Sequence, residues 1–159
     1  MENKHILSIL VQNHTGVLSR VAGLFTRRAY NIDSLSVGET QDSGVSRMTV
    51  AVHADDATLA QIKSQLAKLV NVLEITELCD GNAVLREHII VSVCNSENRA
   101  KFMEIADLFH TKIIDISDNS LMAELTGPPS KVSAFVDAIL PFGIKSLVRT
   151  GLTGLEREI

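Results

Sequence analysis

NHTGVLSRVAGLFTRRAYNIDSL, residues Asn13 to Leu35, joins two strands through one helix and holds most of the candidate chemistry of the chain. Leu7, Ile9 and Val11 alternate in front of it, the period of a strand with one buried face. Val17, Val21, Leu24 and Phe25 then recur at helical spacing, and Asn31–Gly38 returns to a strand with Leu35 and Val37 on one face. Between the first strand and the helix stands Asn13-His14-Thr15-Gly16. The first turn of a helix leaves backbone N–H groups unpaired and carries a partial positive charge. A glycine just ahead of that turn lets a ligand reach the backbone, which suits a small carboxylate. Asn31 adds a second short amide beyond the helix. Two amides and a bare helix start, with no acid, base or nucleophile among them, read as a binding site for an amino acid. The same residues have a plainer use: Asn, Thr and Gly cap helices, and Asn31 can serve as a loop residue. The residues alone leave both readings open.

Outward from this stretch the pattern completes itself and then repeats. Asp42-Ser43-Gly44 turns the chain into Ser46–His53, where Met48, Val50 and Val52 alternate with Arg47, Thr49 and Ala51. Asp55 is placed to cap a helix with Leu59, Ile62, Leu66 and Leu69 on one stripe, and Val72–Leu78 closes the unit. Asp80-Gly81-Asn82 breaks the pattern. The second unit reads as a strand over Glu87–Cys94 and a helix marked by Phe102, Ile105, Ala106 and Phe109. Strands follow over Lys112–Ser117 and Leu121–Thr126. A helix from Pro129 or Ser130 turns Val132, Phe135, Val136, Ile139 and Leu140 inward, and Ile144–Thr150 is the last strand. The order is βαββαβ twice, an α+β fold of two ferredoxin-like units. Residues 1–79 form the first domain, 80–83 a linker and 84–159 the second. Each sheet is covered by helices on one face only, so its edges predict pairing between two copies and a homodimer. A site shared between two chains would also let Asn13 and Asn31 serve one ligand.

Leu7–Val52, Gln65–Leu78 and the second unit of matching layout together resemble the small regulatory subunit of acetohydroxyacid (acetolactate) synthase, whose first half is an ACT domain. The resemblance implies a chain that is not catalytic alone. Its partner would be a separate catalytic subunit carrying thiamine diphosphate, Mg²⁺ and FAD, which condenses pyruvate with a second 2-oxo acid. The small subunit would activate that enzyme and make it sensitive to branched-chain amino acids, valine above all. The implied site comprises Asn13, His14, Thr15, Gly16, Val17, Leu18, Asn31 and Ile32, split across the dimer. The amides of Gly16, Val17 and Leu18 would hold the ligand carboxylate. Asn13, with carbonyls near Asn31 and Ile32 of the neighbouring chain, would hold its ammonium group, and Ile32 and Leu35 would flank its side chain. Ala29 stands where the family usually has glycine; if the position is left-handed, alanine costs roughly 1 kcal/mol there. The alternative is a tandem ACT regulator of a different enzyme, separated by whether a thiamine-dependent chain co-purifies.

Other classes fit poorly. A net charge of −4 argues against nucleic acid and anionic membrane, and no apolar run reaches transmembrane length. The N-terminus lacks a signal pattern, so a cytoplasmic protein is expected, or one of an organelle lumen if a transit peptide has been removed. RNA-binding domains of the same strand order stack bases on aromatics, and Ser46–Val52 has none. Cys79 and Cys94 flank apolar stretches and read as reduced, buried thiols. His53 with Asp55 and Asp56 is the nearest thing to a metal trio, but capping and solvation account for those carboxylates. The second unit serves as an internal control. Its equivalent loop, Cys94-Asn95-Ser96-Glu97-Asn98, has no glycine, and Glu97 is expected in the first helical turn, where it would repel a second anion.

Overall fold

A computed structural model describes residues 3–79, 81–94 and 98–158. Asp80 of the expected linker, and Asn95, Ser96 and Glu97 of the control loop, lie outside the described residues. Met1–Val84 together with Leu152–Ile159 form one compact unit, and Leu85–Gly151 form a second. The last residues, assigned from sequence to the second domain, thus group with the first unit.

The first unit runs β1 (Asn3–Gln12), α1 (Val17–Arg27), β2 (Ile32–Glu39), β3 (Val45–Ala54), α2 (Asp56–Leu66) and β4 (Val72–Leu78). Its four strands lie in the order β2-β3-β1-β4, antiparallel throughout, which is the ferredoxin-like arrangement. Alternation decides the faces. Leu7, Ile9 and Val11 of β1 and Met48, Val50 and Val52 of β3 turn to one side and are buried with Val17, Val21, Leu24 and Phe25 of α1 and Leu59, Ile62 and Leu66 of α2. Each such aliphatic side chain removed from water contributes about 1.5–3 kcal/mol. The turn into β3 closes on Asp42, whose carbonyl accepts from Val45 N–H and whose carboxylate accepts from Gly44 N–H. Asp55 caps α2 as expected, accepting from Thr58 N–H at 2.7 Å, and that bond holds its carboxyl below the ordinary value. The face away from the helices is met by the C-terminal segment: Ser36 Oγ donates to the Leu152 carbonyl (2.9 Å), and Leu152 N–H donates to Ser34 Oγ (3.4 Å). A short strand, β9 (Thr153–Glu156), follows and pairs with β5 (Ala83–Cys94), whose first two residues belong to this unit.

The second unit continues from β5 through α3 (Arg99–Phe109), β6 (Lys112–Ile116), β7 (Ser120–Gly127), α4 (Pro129–Ile139) and β8 (Ile144–Arg149). The strand order β6-β7-β5-β8 repeats that of the first sheet. Ile89, Val91, Val93, Phe102, Ala106, Leu121, Ala123, Leu125, Val132, Phe135 and Ile139 are its core. Three expectations need correction here. Leu140 is 58% exposed, because Pro141 converts the helix end into a 3₁₀ turn over Leu140–Phe142 that rotates Leu140 outward. Both thiols are exposed rather than buried: an apolar neighbour in sequence does not fix the face of a strand-end residue. The third helix opens at Arg99 with Asn98 as N-cap, so no acid lies in its first turn.

Candidate functional site

At the end of β1 the chain leaves the sheet and Asn13 fastens the exit to the β2–β3 hairpin. Its N–H donates to the Gly44 carbonyl (2.8 Å), and its side-chain Nδ2 donates to Glu39 Oε1 (3.0 Å) and to the Ser43 carbonyl (2.8 Å). His14 and Thr15 form an exposed turn, with His14 N–H on the Gln12 carbonyl. Gly16 is the N-cap of α1 at φ 87, ψ −6, a left-handed backbone that disfavours any residue with a Cβ. A Cβ built there would meet nothing within 4 Å, so the strain comes from the backbone and the space above it is open. The first turn of α1 carries no acid. Of the three amides expected to hold a carboxylate, that of Val17 already donates to the His14 carbonyl at 3.3 Å; those of Gly16 and Leu18 precede the first possible intrahelical bond. Val17 turns its side chain into the core, whereas Leu18 is 46% exposed beside the open turn.

Asn31 lies at the other end of the sheet. Ile32 stands opposite Val52, which stands opposite His5 near the start of β1; Glu39 stands opposite Ser46, which stands opposite Val11 near its end. The seven residue steps between Ile32 and Glu39 span roughly 23 Å. One copy of the chain therefore does not bring Asn13 and Asn31 together. Asn31 Nδ2 donates to Asp33 Oδ1 (3.4 Å), and Asp33 Oδ2 lies 2.5 Å from His53 Nδ1. Ile32 and Leu35 are half-buried against the first core. Because His53 pairs with Asp33 while Asp55 caps α2, the weighed metal trio does not assemble, and no group of three His, Cys, Asp or Glu suited to a metal occurs among the described residues.

The loop ahead of Asn31 has the geometry that its alanine disfavours. Ala29 is left-handed at φ 56; its N–H donates to the Thr26 carbonyl (3.1 Å) and that of Tyr30 to the Phe25 carbonyl (3.0 Å), the paired bonds that close a helix around a residue usually glycine. Sequence reasoning missed Glu39 and Ser43, which meet Asn13 only through the strand register. It also missed a groove of about 250 Å³ beside α1, lined by Val17, Arg20, Val21, Lys68, Val70 and Asn71 among others. No helix among the described residues is long and apolar enough to cross a membrane.

The first unit thus carries an open, left-handed helix start beside an oriented amide, and comparison with known proteins places the fold. Residues 7–74 match the AHAS small subunit-like ACT domain, and residues 86–158 match the family described as small subunit of acetolactate synthase. The chain is 39% identical over 158 residues to the acetolactate synthase small subunit of Aquifex aeolicus, covering 98% of this chain and 82% of that protein. The chain belongs to the acetolactate synthase small-subunit family. It is 41% identical over 154 residues to the small subunit of Mycolicibacterium smegmatis, covering 96% of this chain and 91% of that one. The crystal structure of the small subunit from Thermotoga maritima superposes with a TM-score of 0.91 at 36% identity, over 99% of each chain. A small subunit implies a larger catalytic chain as its partner. The match of the C-terminal half disfavours the alternative of a regulator for a different enzyme, because that half is the part an ACT domain alone would not account for.

Proposed function

We propose that this small subunit activates the catalytic subunit of acetolactate synthase and makes it respond to a branched-chain amino acid, valine first. The observation that carries the reading is the Asn13–Gly16 turn: an acid-free helix start at a left-handed glycine for the carboxylate, next to an amide oxygen for the ammonium group. The opposite placement of Asn13 and Asn31 supports a site completed by a second copy. Strand β2 is an edge strand that runs from the Asn31 end to the Glu39 end. Antiparallel pairing of two such edges sets the start of one beside the end of the other, so Asn31 of a second copy arrives near Asn13 and Glu39, twice per dimer. Thiamine diphosphate, Mg²⁺ and FAD belong to the catalytic chain in this reading, and the small subunit supplies no reacting group.

Regulation of this kind is a coupling free energy between two sites, and valine must favour one arrangement of the dimer over the other to have any effect. The test is reconstitution. Alone, with all three cofactors, the chain converts no pyruvate; added to its catalytic partner it raises the turnover rate, and valine lowers that rate again. A partner whose rate is the same with and without the chain, and with and without valine, overturns the proposal.

A further inference from the structure

We infer that Glu39 makes this site read an amine, so that it separates an α-amino acid from the 2-oxo acid bearing the same side chain. This rests on the amino-acid reading above and names the residue that sets its selectivity. An amide nitrogen carries two hydrogens. In Asn13 both are in use, one on Glu39 Oε1 at 3.0 Å and one on the Ser43 carbonyl at 2.8 Å, while the backbone N–H is held by the Gly44 carbonyl. Turning the amide over would press its oxygen against a carboxylate and a carbonyl. The orientation is thereby locked, and the only function left to the Asn13 side chain is that of acceptor through Oδ1.

Glu39 is exposed at the end of the edge strand, and among the described residues only its Oε1 is engaged. Beside the open turn of Gly16 the protein thus presents two acceptors and one negative charge. An ammonium group at C2 satisfies both acceptors and meets the charge. A keto oxygen at C2 is itself an acceptor and is repelled by all of them, although the carboxylate and the branched side chain are unchanged. A site whose polar groups all demand a donor discriminates strongly against a ligand without one.

The experiment is titration calorimetry on the full chain with L-valine and with 2-oxo-3-methylbutanoate, for the wild type, Glu39→Gln and Glu39→Ala. Wild type binds valine more tightly than the oxo acid by a factor on the order of 100 or more. Glu39→Gln keeps an acceptor for Asn13 Nδ2 but removes the charge, and loses about tenfold in valine affinity with none lost for the oxo acid. Glu39→Ala also frees the amide to turn and narrows the ratio further. An unchanged ratio in both variants, in a protein where Asn13→Ala does weaken valine, overturns the role of Glu39 and leaves the site standing. Failure of the wild type to bind any branched-chain amino acid overturns the site and this inference together.

Discussion

In the first unit His5, two residues ahead of the core residue Leu7, bonds through Nδ1 to Glu77, which stands opposite Leu7 on β4. In the second, Glu87, two residues ahead of Ile89, accepts from Nε and Nη2 of Arg149, which stands opposite Ile89 on β8. The same two positions of the same strand pair are clamped in both, with the basic and acidic side chains exchanged between the strands. The ends of the first helices are repeated as well: Ala29 and His110 are both left-handed and both followed by a bond back to the last turn. The helix starts are not. α1 opens from a left-handed glycine into free space, whereas α3 opens from Asn98 at φ −94 and ψ 18. The two units share the geometry that packs a sheet against two helices, while acid and base have changed places in the clamp. Among the described residues, the open left-handed helix start of the first unit has no counterpart in the second.

The largest effect should come from forcing the first helix start to resemble an ordinary, occupied one. Gly16→Asp adds a Cβ at φ 87, a strain of roughly 1–2 kcal/mol, and a negative charge where the proposed ligand would place its carboxylate. Valine affinity should fall by more than about 100-fold. Asn98→Asp, at the N-cap of α3, should leave it unchanged. Calorimetry on both variants decides, and equal losses in the two would erase the contrast between the units.

Next in size are Asn13→Ala and Asn31→Ala. Each removes a hydrogen bond to a charged or backbone group, worth about 1.5–3 kcal/mol, or roughly 10–150-fold in valine affinity. Because the two residues sit at opposite ends of one sheet, equal losses in both variants, with the dimer intact by sedimentation, would support a site made by two copies. A loss in only one of them would place the ligand within a single chain.

A third comparison concerns backbone strain in both units. Ala29→Gly and His110→Gly each relieve a left-handed residue with a side chain and should each stabilise their unit by about 1 kcal/mol in denaturant titrations. Only Ala29→Gly acts on the loop before Asn31, so only it should alter valine affinity.

Much of this was legible because it depends on period alone. The Leu7, Ile9, Val11 and Met48, Val50, Val52 alternations, the α1 and α2 stripes and the Asp55 cap all follow from local spacing. What escaped depends on distance in space. The tie from Asn13 to Glu39 and Ser43 needs the hairpin register, and the engagement of the Val17 amide needs the turn at His14. β9 escaped because Thr153-Gly154-Leu155-Glu156 is too short to show a period. β5 begins at Ala83 rather than Glu87, since the turn before it closes within Cys79–Ala83, where Asn82 and Ala83 N–H both donate to the Cys79 carbonyl.

The smallest expected effect separates the two clamps by pH. Lys63, bonded directly to Glu77, is the main cause that holds this carboxyl below its ordinary value, with His5 adding to it against the opposing cost of burial. A carboxyl depressed on folding contributes stability that is fully present above its unfolded value, near 4.5, and is lost as pH falls through the lower folded value. Glu77 is 27% exposed, so solvent screens the pair and the contribution is roughly 0.5–1 kcal/mol. Glu77→Gln should therefore cost about that much in urea titrations at pH 7 and nearly nothing at pH 3. Arg149→Gln in the other clamp leaves Glu87, 7% exposed on its side chain, without its charged partner and should cost more at pH 7. If Glu77→Gln costs as much at pH 3 as at pH 7, the carboxylate charge is not what holds β1, α2 and β4 together, and the two clamps are alike only in position.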